Sequence, residues 1–236
     1  MKQFEGKKIL SVSGDTKIGK ERLLNKKILE FKSWGKHFLI VFKDFSVRIH
    51  FLMFGSYTIN ERKFNEEGKE RSIRLNLTFK NGEINFYSSA IKIIEGDVND
   101  VYDWTADVMN DNWDAKAARK KLKDEGKQLI CDTLLNQNIF AGVGNIIKNE
   151  VLYRVRVHPE SITGEIPSRK ISEIIKEARH YSFQFLEWKR NYELKKHWLA
   201  HTKKLCLRCD LPIYKKYTGK NKRRSFFCKN CQLLYK

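Results

Sequence analysis

The sequence predicts an α+β protein, with a β-rich N-terminal part built on antiparallel hairpins, a helical middle and a four-cysteine module at the C-terminus. Three observations predict it. Short apolar or alternating runs separated by turn residues fill roughly the first hundred positions. Helix-favouring runs with start and stop signals take over after Trp104. Two CxxC pairs then close the chain. The expected divisions are 1–106, 107–203 and 204–236.

Residues 8–12, 28–31, 37–42 and 46–51 read as strands, with turn signals such as Lys43-Asp44 between them. The clearest hairpin spans 75–87, where Asn81-Gly82 joins two alternating runs. That dipeptide suits a two-residue turn because both residues tolerate positive φ. The polar stretch 63–71 reads as a loop.

In the helical part, Asp114 caps a strong helix-forming run through Leu122, which stops near Gly126. A second helix is expected over 128–136. Gly142-Val143-Gly144-Asn145 reads as a glycine turn feeding a third helix that runs to Leu152. Pro167-Ser168 should open a long helix towards Trp188, since proline suits the first helical turn.

The tail carries the most specific signal. Cys206 and Cys209, then eighteen residues, then Cys228 and Cys231 match the spacing of a four-cysteine zinc site. Each CxxC knuckle offers two thiolates to a tetrahedral ion, and the intervening residues can form a hairpin that brings the second knuckle back. With all four positions supplied by protein, one structural Zn2+ is expected, without an open position for water. From His201 to Lys236 there are eleven Lys and Arg against one acid, Asp210. The cluster Lys222-Arg223-Arg224 just before the second knuckle is a candidate for entering or straddling a nucleic-acid groove.

Charge points the same way. The chain has 236 residues, with 47 Lys+Arg against 28 Asp+Glu and a formal net charge of +19. Such an excess favours a polyanion, because each cation that neutralises a phosphate releases counterions. Hydrophobic residues at 41% supply a core and argue against disorder. No apolar run is long enough to span a bilayer, and Met1-Lys2-Gln3-Phe4 lacks the apolar segment of an export signal, so a cytoplasmic protein without a membrane partner is expected. The fifth cysteine, Cys131, sits in an apolar stretch and reads as a small buried hydrophobe.

Other features are weaker when taken singly. The free N–H groups of the helix opened by Asn145 could bind a phosphate, although glycine turns between helices are usually structural. Lys36, in Trp34-Gly35-Lys36-His37, could hold a phosphate or act as an amine nucleophile if desolvated, or be one solvated lysine among many. His197 and His201 are four residues apart but lack an HExxH arrangement, which makes them structural or DNA-facing. Met53 could be a core residue or an exposed apolar wedge, and pattern alone favours the core.

In combination and in this order, these features resemble the Fpg/Nei family of bacterial DNA glycosylase/AP lyases (formamidopyrimidine-DNA glycosylase and endonuclease VIII). The resemblance covers essentially the whole chain. It takes in the Gly-Lys before an apolar strand, His50-Phe51-Leu52-Met53-Phe54-Gly55-Ser56, the segment from Gln137 to Leu152 followed by His158-Pro159, and the finger from Arg223 to Gln232. It implies an N-terminal β-sandwich, a helix–two-turn–helix domain and a zinc finger bordering one basic cleft. It further implies that Lys36 and Asn145 contact phosphate, and that Arg223 clamps the phosphates flanking a flipped nucleotide, with Arg224 in its place if the register shifts by one. Met53 would fill the gap left by the everted base, which restores part of the stacking that flipping costs.

One departure bears on chemistry. In the family the nucleophile is the amine of an N-terminal proline followed by a Glu. Here the opening Met1-Lys2-Gln3-Phe4-Glu5 resembles the segment just after the family's first helix, so this Pro-Glu is expected to be absent. Lys2 is also too bulky for routine removal of Met1. Lys36, as candidate catalytic residue, and the Met1 α-amine remain as amines. Either the natural start lies upstream, the preferred explanation, or the chain is a shortened homologue that binds damaged DNA with impaired catalysis. The resemblance implies a base-excision-repair enzyme, in a bacterial, nucleoid-associated setting, acting as a monomer on double-stranded DNA with an oxidised base or abasic site. It would proceed through base flipping, a Schiff base and β/δ-elimination.

Overall fold

The computed structural model describes all 236 residues. They group into two compact units, Met1–Tyr102 and Asp103–Lys236. The fold is α+β.

The first unit is a sandwich of two four-stranded antiparallel sheets. One has the order β1 (Ser11–Ser13), β6 (Leu75–Phe79), β7 (Gly82–Tyr87), β5 (Ser56–Ile59), and the other β2 (Glu30–Trp34), β3 (His37–Val41), β4 (Phe45–His50), β8 (Ala90–Glu95). Alternation puts Leu75, Leu77, Ile84 and Phe86 of the first sheet against Ile40, Val47, Ile49 and Ile91 of the second, with Phe4, Ile9, Leu23 and Ile28 completing the core. The Phe38 and Phe86 rings meet across the layers at 6.1 Å. A short helix, α1 (Val98–Val101), ends the unit.

The hairpin expected over 75–87 is present, but its turn lies one residue earlier. Phe79 pairs with Gly82, so Lys80 and Asn81 make the turn and Gly82 opens β7. Gly82 has φ +135, and a Cβ there would strike the Asn60 side chain, whose Oδ1 accepts the Glu83 N–H at 2.8 Å. A contact with a distant asparagine, not local turn preference, sets this register.

The second unit is organised by α2 (Ala115–Asp124), α3 (Ile130–Thr133), α4 (Asn145–Arg154) and α5 (Ser168–Arg190), followed by a hairpin of β9 (Tyr214–Thr218) and β10 (Arg223–Phe227). Asp114 caps α2 as expected, accepting the N–H groups of Lys116 and Ala117. The helix expected over 128–136 shortens to one turn, α3, because the chain then folds through Asn136 to reach the glycine turn. Ile130, Leu134, Phe140, Val151, Ile174 and Tyr181 lie at the centre of the core. Cys131 is 2% exposed and its thiol is pushed up by burial, in keeping with a packing role. No helix is long and apolar enough to cross a membrane.

Candidate nucleic-acid interface and metal centre

The four cysteines of the tail converge. The Sγ atoms of Cys206, Cys209, Cys228 and Cys231 lie within 4.8 Å of one another, with Cys206–Cys231 at 3.8 Å, Cys209–Cys228 at 3.5 Å and Cys209–Cys231 at 3.4 Å. A disulfide needs sulfurs about 2.05 Å apart. A tetrahedral ion with bonds of about 2.3 Å spaces its sulfurs by roughly 3.8 Å, which the observed edges approach. The donor set is all thiol and already four in number, so it fits a closed metal centre. The Tyr153 hydroxyl sits 3.2 Å from the Cys206 sulfur, and Gln232 accepts the Cys228 N–H at 2.9 Å, so neighbouring side chains fix the knuckles.

Helix α4 holds the finger in place. Its residues Lys148, Asn149 and Glu150 are all buried, at 0%, 1% and 0% exposure. The Glu150 carboxylate accepts three backbone N–H groups, from Leu199 at 2.9 Å, Ala200 at 2.9 Å and His201 at 2.8 Å. The carbonyl of Arg224 accepts from the amides of Asn145 at 2.9 Å and Asn149 at 3.3 Å, and from Lys148 Nζ at 3.4 Å. Lys148 Nζ also donates to Ser225 Oγ at 2.7 Å. Burial brings its ammonium down to about 8. Backbone and side chain thus part company in β10: the Arg224 carbonyl is pinned to α4 while the side chains of Arg223 and Arg224 stay exposed. At the far end of the hairpin, Asp132 accepts the Lys220 N–H at 2.9 Å.

Asn145 is the first residue of α4, and Gly144 provides no side-chain cap. The leading N–H groups of the helix therefore point outward with the positive end of its dipole, a ready site for an anion. The Asn145 side chain is oriented by Arg224, and its Oδ1 is buried without a partner. His197 stacks on Trp188 at 4.1 Å and His201 meets Trp198 edge-on at 4.8 Å.

In the first unit, Gly35 and Lys36 make the tight turn between β2 and β3, and Lys36 is exposed at its tip. Beside it stand Trp34, His37, His50 and Tyr102. The Tyr102 hydroxyl lies 3.2 Å from His37 Nδ1, the two histidine rings are 5.8 Å apart, and Trp34 packs on Tyr102 at 4.9 Å. Burial, then Arg48, His50 and Lys36, push His37 down to about 4, so it is neutral near pH 7.

Met53 is not in the core, against what pattern alone favoured. It is 84% exposed, between Leu52 at 61% and Phe54 at 75%. The Gly55 N–H closes a tight turn onto the Phe51 carbonyl at 2.7 Å, and a Cβ at Gly55 would lie 2.0 Å from that oxygen. The closed turn forces all three apolar side chains outward, which an alternating pattern cannot reveal.

Sequence reasoning missed Glu150, Lys148 and Asn149 as finger anchors. Three consecutive polar residues between the buried Ile147 and Val151 were the available signal. Tyr102 carried none, because its partners in three dimensions give it its place.

A family model described as the formamidopyrimidine-DNA glycosylase H2TH domain matches residues 105–183. Endonuclease 8-like 3 of Mus musculus is 30% identical over 203 residues, covering 84% of this chain. The chain belongs to the Fpg/Nei family of DNA glycosylases. It spans only 33% of the length of that relative. Family members of more similar size include the formamidopyrimidine-DNA glycosylase of Mycoplasmopsis pulmonis, 25% identical over 247 residues, which cover 92% of this chain and 84% of that protein. Among solved structures, the Fpg enzyme of Lactococcus lactis, noncovalently bound to DNA containing an AP site, has a TM-score of 0.79 at 23% identity, covering 98% of this chain and 94% of its own. A viral DNA glycosylase has a TM-score of 0.80 at 20% identity, over 98% and 95% of the two chains.

Proposed function

We propose that this chain is a DNA glycosylase/AP lyase that binds double-stranded DNA at an oxidised base or abasic site and flips the damaged nucleotide. The observation that carries the reading is the basic strand Arg223–Arg224, whose backbone is fixed by α4 while its guanidinium groups stay exposed. Likeness to an Fpg enzyme bound to AP-site DNA supports it.

In this reading Arg223, with Arg224 beside it, clamps phosphates, and the open N-terminus of α4 at Asn145 receives another. Lys36 holds a phosphate next to the lesion. Met53, at the tip of its turn, enters the stack in place of the everted base and recovers part of the few kcal/mol that flipping costs. Cys206, Cys209, Cys228 and Cys231 hold one Zn2+ that supplies rigidity to the hairpin and takes no part in the chemistry. The chemistry needs a deprotonated amine to attack C1′. The base departs, a Schiff base forms, and the 3′ phosphate leaves by elimination, with δ-elimination to follow. Within this chain Lys36 is the candidate nucleophile, a role that would replace its phosphate contact.

A duplex with one abasic site, compared with the intact duplex, tests the proposal. Tighter binding of the abasic duplex together with strand scission at the site is expected. Selective binding without scission would leave a damaged-DNA-binding protein with impaired catalysis, and equal affinity for both duplexes would end the proposal.

A further inference from the structure

A groove of about 600 Å3 runs between α2 and the middle of α5. Its floor is apolar, formed by Trp113, Ile175 and Phe183, and its rim carries Lys116, Lys176 and His180. On α5 the lining residues Ser172, Ile175, Lys176, Arg179, His180 and Phe183 recur every three or four positions, which makes one continuous stripe along the helix. None of the lining comes from α4 or β10, so the groove is separate from the strand of Arg223 and Arg224.

The groove is one-sided in charge. No acidic residue lines it. Three acids near it have partners elsewhere: Asp114 caps α2, Glu173 pairs with Lys170 at 2.5 Å, and Glu177 pairs with Arg154 at 3.7 Å. The two arginines of the lining are held by protein partners. Arg119 donates to Ser168 Oγ at 3.0 Å and to Ser172 Oγ, and Arg179 donates to the carbonyls of Val108 at 2.9 Å and Asn110 at 3.0 Å while lying over the Phe183 ring. They contribute positive potential but have few donors left to clamp a phosphate. Phe183 remains 44% exposed and Leu186, one turn on, 37%.

A duplex is a poor match, because its backbone would cover the aromatic floor without an apolar group to fill it. A helix with apolar side chains on one face and carboxylates along its edges matches both features: its anchors seat on Trp113, Ile175 and Phe183, and its acids meet Lys116, Lys176 and His180. We propose that the α2–α5 groove is a docking site for an acidic amphipathic helix of a partner protein, used independently of DNA binding.

Fluorescence anisotropy on the full chain tests this, with a labelled synthetic peptide carrying Leu and Phe at i, i+4 and i+7 and Glu elsewhere as the probe. Saturable binding is expected, absent for a scrambled peptide of the same composition. Phe183→Ser, and separately the pair Lys116→Glu with Lys176→Glu, should each weaken it about tenfold or more, while affinity for abasic duplex stays within about twofold. All three positions are at the surface, and circular dichroism identifies a variant that fails to fold. Three outcomes would overturn the proposal: no saturable binding, equal binding of the scrambled peptide, or charge reversals that weaken the duplex as much as the peptide. The last would reassign the groove to DNA.

Discussion

Asn145 sits where two demands meet: its amide fixes the Arg224 carbonyl, and its helix end presents free N–H groups. Asn145→Ala should lower affinity for every duplex by about five- to thirtyfold, the loss of one or two hydrogen bonds of about 1 kcal/mol each. Arg223→Ala should act through charge, reducing the slope of log affinity against log salt by about one. An unchanged slope would remove Arg223 from the phosphate contacts. Glu150→Gln turns an acceptor of three backbone N–H groups into a group that also donates, and should destabilise the second unit by about 2 kcal/mol in denaturant unfolding. At this scale the sequence was legible where residue type and spacing dictate chemistry, as with the four cysteines that converge on one centre. It was illegible for Glu150 and Lys148, whose roles depend on which backbone groups lie above α4.

The finger is the element in which metal, helix and hairpin depend on one another. Cys228→Ser leaves three thiolates on the centre. The expected result is loss of one zinc per chain in metal analysis, together with disorder of the β9–β10 hairpin. If the wild-type protein holds no zinc, the assignment fails. Acid should loosen the same element. Asn149 donates to His201 Nδ1 at 3.0 Å, which requires a neutral ring, and burial followed by Lys148 and Arg224 pushes this histidine down to about 4. Strand and helix patterning recovered most elements. It placed the 75–87 turn one residue late because Asn60, not the local dipeptide, sets the register of Gly82. It overextended the helix at 128–136 because helix propensity carries no information on where the chain must turn back.

For the whole molecule, four histidines are held below their ordinary value by burial, and His37 and His201, the two brought down to about 4, set the clearest pH dependence. An unfolded chain takes up protons on these rings near 6.5, whereas folded His37 and His201 stay neutral until about 4. Between those values the unfolded state binds more protons, so stability is full above about pH 6.5 and falls as the pH drops towards 4. His37→Gln and His201→Gln should each flatten that fall in thermal melts, and an unaltered slope would mean that the rings are hydrated. The order of sandwich, helices and finger was readable from the chain because each segment has its own periodicity or ligand spacing. The cluster of Trp34, His37, His50 and Tyr102 was not, since sheet pairing and the turn at Lys36 assemble it from distant positions. An amine of this chain that does chemistry at a damaged site can be caught by borohydride trapping on a duplex with one abasic site. A covalent protein–DNA adduct is expected, with peptide mapping placing the link on Lys36 and Lys36→Ala abolishing it. No adduct under conditions of tight, lesion-selective binding would contradict that chemistry.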